Sequence, residues 1–257
     1  MTITVSSIYR YPVKGLSPER LDRVHLTPDA TLPADRKYAI ENGPGRFDPA
    51  APRHLPKISF LMLMRDERLA TLRTRFDDAT ETLTVERDGK QVARGKLDTP
   101  IGRQMIEQFF AAYMKSELRG APKVVAADGH SFSDVAAKCV HIVNLASVRD
   151  FERAVGQPVD PLRFRANIYI DGCAPWDEFS WLDKTLTIGG ATMTVFKRTQ
   201  RCEATNVDPV TAKRDMAIPA VLTRTYSHWD FGVYAMVASG GAVATGDAVT
   251  INGSAPT

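Results

Sequence analysis

The chain has 257 residues, is 44% hydrophobic and 25% charged, and carries a formal net charge of +3. That length allows one large or two modest domains, and the composition is that of an ordinary globular protein. No Lys/Arg block interleaves with aromatics and no apolar run approaches a membrane span, so neither a nucleic acid nor a bilayer is an expected partner.

Taken in chain order, the first part reads as β-rich. Residues 3–8 alternate and carry β-branched side chains, and residues 21–26 alternate again. Residues 37–40 lead into the turn signal Asn42-Gly43-Pro44-Gly45. Residues 47–56 are proline-rich and read as a long loop. Residues 83–86 and 91–93 flank Asp88-Gly89, the signature of a hairpin. From 101 to 118, Ile101, Met105, Ile106, Phe109 and Ala112/Tyr113 fall on one stripe, which predicts an amphipathic helix stopped by Gly120-Ala121-Pro122. A domain boundary is expected there. Beyond it, 127–134 is polar and 141–143 is a short strand. A helix then runs from 144 to about 155, with Ser147 as its cap and Gly156 to Pro158 as its end. Residues 165–171 form a strand, and 185–188 with 191–197 form a hairpin through Gly189-Gly190. A short helix covers 219–224. Strands at 231–237 and 248–251 close the chain through turns at Gly240-Gly241 and Gly246-Asp247. Many short strands and few helices predict a mostly β protein, a β-barrel and not a doubly wound sheet.

The segment 197–215, KRTQRCEATNVDPVTAKRD, carries the strongest chemical signal. Cys202 follows Lys197, Arg198 and Arg201. Nearby positive charge favours thiolate, the form that attacks electrophiles and binds soft metals. The strand before it and the turn after it put the cysteine at a strand end, a usual place for site residues. A lone cysteine is commonly a small core residue, but burying three cations around it would be costly. Cys139, Cys173 and Cys202 are widely spaced, without C-x-x-C or H-x-x-x-H. A disulfide framework or zinc site is therefore not expected. The N-terminus lacks a signal-peptide pattern, so a reducing cytoplasm is the expected setting.

Other cations sit at turns and strand ends: Lys14 in Tyr-Pro-Val-Lys-Gly, Arg36 after Asp35, and Arg163 and Arg165 around Phe164. An anionic, polar ligand such as a phosphate or pterin needs such cations, although each alone reads as a solvated surface charge. Asp208 and Asp215 follow the cysteine and could exchange a proton beside it. Asp208-Pro209 taken alone reads better as a turn start. Thr205 reads as a cap or hydrogen bond within the loop. The five histidines show no metal-ligand spacing. No G-x-S-x-G, P-loop or G-x-G-x-x-G motif is present.

In order, YRYPVKG, ADRKYAI, HIVNLASV, RFRANIYIDG, Trp176-x-Glu178, QRCEATNVDP and a late Gly-Asp resemble the MOSC family. More narrowly, they resemble its two-part members, the mitochondrial amidoxime-reducing component and bacterial relatives. The resemblance implies an N-terminal MOSC-type β-barrel domain at 1–120 and a MOSC domain at 121–257. It implies a molybdenum cofactor (molybdopterin), with Cys202 as the metal's protein ligand. Lys14, Arg36 and Arg165 match positions that hold the pterin and its phosphate; Ser147, Asn167, Arg201 and Thr205 are further expected contacts. Asp208 is expected near the metal, delivering a proton. The implied activity is reduction of N-hydroxylated compounds: amidoximes, hydroxylamines or N-hydroxylated bases. Because these residues include no ferredoxin-like domain, the expected electron donor is a separate protein of ferredoxin, cytochrome or flavin-reductase type. The family also carries a pyridoxal phosphate-binding label. A different reading is a sulfur carrier, sulfurtransferase or cofactor carrier that uses a Cys202 persulfide or thiolate; Lys14 and Arg36 in the first part favour the reductase. Departures are Gly15 where some relatives have serine, Ala166 where proline is frequent, and a divergent stretch at 42–100.

Overall fold

The computed structural model describes residues 2–43 and 45–254, so Pro44 of the expected turn lies outside the described residues. The first strands are β1 (Thr4–Arg10), β2 (Glu19–Leu21), β3 (Arg23–Leu26), β4 (Ala39–Glu41), β5 (Arg73–Asp77), β6 (Thr82–Arg87), β7 (Lys90–Lys96) and β8 (Lys123–Val125). Those that follow are β9 (Val140–Asn144), β10 (Ile168–Asp171), β11 (Lys184–Ile188), β12 (Ala191–Gln200), β13 (Asp230–Ser239), β14 (Gly241–Ala244) and β15 (Val249–Ser254). The helices are α1 (Pro100–Tyr113), α2 (Leu145–Val155) and α3 (Ile218–Tyr226). The protein is therefore mostly β with a few helices, as its turn spacing predicts.

The main sheet runs β15-β11-β12-β13-β9-β10-β1-β2. Each neighbouring pair is antiparallel except β9 with β10. A parallel pair needs a crossover, and α2 supplies it. The sheet curls until β15 meets β1: Val5 N donates to Asp247 O at 2.9 Å, and Val249 N to Ile3 O at 2.8 Å. Alternation along the strands sends Val5, Ile8, Ile142, Leu186, Met193 and Val233 into one buried core. β1 and β2, from the beginning of the chain, thus complete a sheet built largely from its end.

A second core lies under the β5-β6-β7 meander, where α1 packs Ile106 and Phe110 beside Leu83 and Val85. Val13, Leu16 and Ala34, which flank Lys14 and Arg36, belong to this second core or pack against it.

Several expectations are corrected. Residues 21–26 are not one strand: β2 pairs with β1 while β3 pairs with β14, so the run splits to serve two sheets. β5, β8 and β14 were not expected, because Arg73–Asp77 is mostly charged and Lys123–Val125 and Gly241–Ala244 are too short to show alternation. α1 ends at Tyr113, well before Gly120, and is rotated from the expected stripe. Ile101 and Met105 are 74% and 51% exposed, while Gly102, Ile106 and Phe110 face inward. Asn144, not Ser147, caps α2, its side chain accepting from Ala146 N at 2.9 Å. The strand expected from 165 begins only at Ile168, because the chain first makes a short 3-10 turn, Pro161–Phe164.

Candidate functional site

The site is built where β12 stops. Arg201 N donates to Trp229 O at 2.8 Å, the last tie to the neighbouring chain. Cys202 then opens a 3-10 turn, Glu203–Asn206. Its carbonyl accepts from Thr205 N at 3.1 Å and from Thr205 Oγ1 at 2.9 Å. The fully buried Thr205 therefore pins the turn. Cys202 is a free, partly exposed thiol. Burial pushes the thiols of Cys139 and Cys173 up to about 12, so both stay protonated at neutral pH.

The three cations next to Cys202 in sequence do not all reach it. A strand sends successive side chains to opposite faces. Lys197 is exposed, and Arg198 lies over the Phe179 ring, 4.4 Å from its centroid. Only Arg201 shares the cysteine's cleft. The other cations come from far away in sequence.

Lys14 enters from the end of the first strand region, where Gly15 turns the chain. Lys14 Nζ is buried, donates to Phe132 O at 2.9 Å and pairs with Asp134. Burial pushes the ammonium below its ordinary value, and Arg36 and Arg165 push the same way against Asp134. The crowding of protein around Asp134 would raise its carboxyl, but Lys14, Lys57 and Arg36 outweigh it and hold the group well below the usual range.

Arg36 and Arg165 share an aromatic support. Their guanidinium carbons lie 4.5 and 4.2 Å from the centroid of the buried Tyr11 ring. Burial pushes the Tyr11 phenol up to about 12, against the pull of both cations. Arg36 donates to Asp35 Oδ2 at 2.6 Å and to Arg165 O at 3.0 Å. Burial opposes its charge, yet Asp35 and Tyr11 keep it above its ordinary value. Burial, with Arg36 adding to it, pushes Arg165 down to about 10. Among the described residues, the Arg165 guanidinium makes no hydrogen bond to protein, and its contact is the Tyr11 ring. Both arginines have left-handed backbones, with φ of 49° and 51°. Non-glycine residues persist there only where their surroundings over-determine them, and such strain clusters at functional sites.

These groups line one cleft of about 790 Å³, part of it open to solvent, containing Lys14, Arg36, Arg165, Asn167, Arg201 and Cys202. Asn167 turns its amide to the fold: Oδ1 accepts from His141 N at 3.1 Å and Nδ2 donates to Tyr9 O at 3.2 Å. Lys57, Asp134, His141 and Tyr234 also line the cleft and were missed in the sequence. Asp134 carried a signal in principle, as an acid in a polar stretch before a strand. Burial, then Arg201, drives His141 well below its ordinary value and leaves it neutral.

Three expected residues stand outside the cleft lining. Ser147 Oγ contacts both Glu178 carboxylate oxygens at 2.9 Å and accepts from Trp176 N at 2.8 Å, under α2. Thr205 holds the cysteine turn from behind. Asp208 Oδ1 accepts from Val210 N and Thr211 N at 3.0 and 2.6 Å, and Oδ2 accepts from Arg163 at 3.0 Å. Burial would raise the Asp208 carboxyl, but the Thr211 and Val210 donors and Arg163 hold it below its ordinary value.

The chemistry of this donor set fits an anionic pterin bearing a soft metal. Arg165 offers unmatched donors, and Arg201 Nε is buried without a partner. Among the described residues, no group of three His, Cys, Asp or Glu side chains is arranged to hold a metal by itself. A metal at Cys202 would take its remaining ligands from a bound group.

The curled barrel and the cysteine at its rim belong to a recognisable class. The MOSC N-terminal beta barrel domain matches residues 2–121 and the MOSC domain residues 127–250; the chain belongs to the MOSC family. It is similar to the bovine protein "Mitochondrial amidoxime reducing component 2", 30% identical over 122 residues, which is 43% of this chain and 36% of that protein. The human "Mitochondrial amidoxime-reducing component 1" is 29% identical over 124 residues, 44% of this chain and 36% of its own length. A "Molybdenum cofactor sulfurase" from Drosophila pseudoobscura pseudoobscura is 36% identical over 96 residues, 36% of this chain and 12% of that protein. The chain thus matches about a third or less of the length of these curated relatives. Among solved structures, the YuaD protein of Bacillus subtilis aligns with 98% of this chain and 96% of its own, at 12% identity and a TM-score of 0.45.

Proposed function

We propose that this protein is a molybdenum-cofactor-dependent oxidoreductase that reduces N-hydroxylated compounds: amidoximes, hydroxylamines or N-hydroxylated bases. Its electrons come from a separate protein of ferredoxin, cytochrome or flavin-reductase type. One observation carries the reading: Lys14 and Arg36 from the first 120 residues share a cleft with Arg165, Arg201 and Cys202 from the rest. A sulfur carrier demands mainly an accessible cysteine, whereas holding an anionic cofactor, for catalysis or for carriage, calls for converging cations.

In this reading Cys202 is the metal's protein ligand, and Lys14, Arg36, Arg165 and Arg201 hold the pterin and its phosphate through charge-assisted hydrogen bonds. When bound, the group supplies two-electron redox chemistry at an N–O bond. The chain's own part is to bind, orient and keep charge balanced. Tyr11 supports two guanidiniums on one ring, Asp35 fixes Arg36, and neutral His141 adds no charge to the wall. Asp208 shapes the cysteine loop, because both its oxygens are already engaged. Residues 1–120 supply one wall of the cleft and 121–257 the other. Among the described residues no helix is long and apolar enough to cross a membrane, and a cytoplasmic setting is part of the proposal.

The free, partly exposed Cys202 and the likeness to a molybdenum cofactor sulfurase support a second reading, a persulfide carrier. Elemental analysis separates the two. Protein from a cofactor-competent host is compared with Cys202→Ala. Near-stoichiometric molybdenum in the parent, lost in the variant, is the expected result. No metal in either, with a persulfide on Cys202 by mass spectrometry, would replace the reductase with the carrier.

A further inference from the structure

Arg163 is 4% exposed, yet it lines no part of the cysteine cleft. Its guanidinium is aimed at the loop that follows Cys202. Nη2 donates to Asp208 Oδ2 at 3.0 Å and to Asp215 Oδ2 at 2.8 Å. Nη1 reaches the carbonyls of Thr205 and Asn206 at 3.5 and 3.3 Å. One side chain therefore gathers contacts from residues 205, 206, 208 and 215. An arginine fork suits this task, since a lysine ammonium presents a single point of charge.

The neighbours of Arg163 complete the pattern. Phe164 O accepts from Arg201 Nη2 at 2.8 Å, on the other side of Cys202. The Phe164 ring stacks on Phe231 with centroids 3.8 Å apart, which anchors the segment to β13. The next residue is Arg165, whose left-handed backbone delivers its guanidinium to the cleft. Cys202 is thus bracketed, through Arg201 before it and Thr205 after it, by bonds to the segment that places Arg165.

We infer that Arg163 is a positioning residue that sets the register between the Cys202 sulfur and the Arg165 guanidinium. It acts through the Thr205–Asp208 backbone and touches no ligand. Asp208 and Asp215 serve as its counter-charges, which gives both acids a task that proton transfer does not explain. The inference concerns the sulfur's placement and holds whether Cys202 serves a metal or a persulfide.

The test reads the sulfur directly. Full-length protein from a cofactor-deficient host is alkylated with iodoacetamide, and Cys202 and Cys173 peptides are followed by mass spectrometry. Cys173, a partly exposed thiol packed against the barrel core, reports global loosening. In Arg163→Met the Cys202 rate is expected to rise at least about fivefold relative to Cys173, as a local opening of the loop. Arg163→Lys, which keeps the charge and loses the fork, is expected to fall between. A Cys202 to Cys173 ratio unchanged within about twofold overturns the inference, whether both rates rise together or neither moves. If Arg163→Met does not fold, the Asp208→Asn, Asp215→Asn double variant decides by the same ratio.

Discussion

Arg165 shows how much of a site can rest on one backbone angle. Its side chain reaches the cleft because the chain leaves the Pro161–Phe164 turn in the left-handed region and only then enters β10. With no acceptor of its own, Arg165 is the side chain expected to gain most from an anionic ligand. Arg165→Ala is expected to lower cofactor retention at least about tenfold in competition with a cofactor-accepting protein, with Cys202 still alkylatable. Normal retention would reject that role. Gly15 carries a related lesson. Its φ is +81°, and a side chain there would press on Leu61 O at 3.0 Å. The serine carried by some relatives is therefore disfavoured in this chain, and Gly15→Ser is expected to lower the melting temperature. Glu178 is fully buried, and burial, against hydrogen bonds from Asn144 and Ser147, pushes its carboxyl up to about 7. A raised acid binds its proton more tightly when folded, so its contribution is complete below the unfolded carboxyl value and is lost as pH rises through about 7. The parent is expected to lose about 2–3 kcal/mol between pH 5 and 8 that Glu178→Gln does not lose, measured by denaturant unfolding. Equal slopes for both proteins would refute it.

The crossing of α1 on β7 is decided by two glycines. A Cβ on Gly102 would lie 2.0 Å from Lys96 O, and one on Gly95 would lie 2.1 Å from Gly102 O. Backbone meets backbone, and that contact, not the apolar stripe, sets the helix rotation. Hydrophobic spacing alone is blind to it, which is why Ile101 and Met105 looked like core and are exposed. Gly102→Ala should raise helix propensity and still destabilise the protein, by about 1–3 kcal/mol from overpacking. A gain in stability would show that the helix can slide. The β6–β7 hairpin was legible because Asp88-Gly89 supplies two left-handed residues, with φ of 52° and 73°. β14 was not legible, because its short Gly-Ala run acquires strand character only by pairing with β3.

At the scale of the molecule, the two matched domains share strands. β1 sits between β10 and β2, and β3 covers β14, so the C-terminal part leans on the N-terminal part for closure. Across the cleft, Arg214 reaches Met64 O at 2.7 Å and Glu67 at 3.1 Å, and Arg73 reaches Pro209 O at 3.3 Å. Residues 121–257 expressed alone would expose the β10 edge and are expected to aggregate, with co-expression of 1–120 restoring solubility. A soluble, folded C-terminal fragment would refute this dependence.

The sequence by itself determined the class of fold, the family, and the cysteine at the end of β12, because these follow from local alternation, turn chemistry and ordered motifs. Only the tertiary structure decided which cations share that cysteine's cleft. Lys197, beside it in sequence, is exposed, and Arg198 packs on the Phe179 ring instead of entering the cleft; Lys14, Arg36 and Arg165 are brought in by long-range pairing and, for the two arginines, by left-handed backbones. It also withdrew Ser147 and Asp208 from the cleft, because hydrogen bonds to Glu178, Arg163 and the Thr211 turn already satisfy them. Local rules fix which way a strand points its side chains, but which side chains meet is a property of the closed barrel.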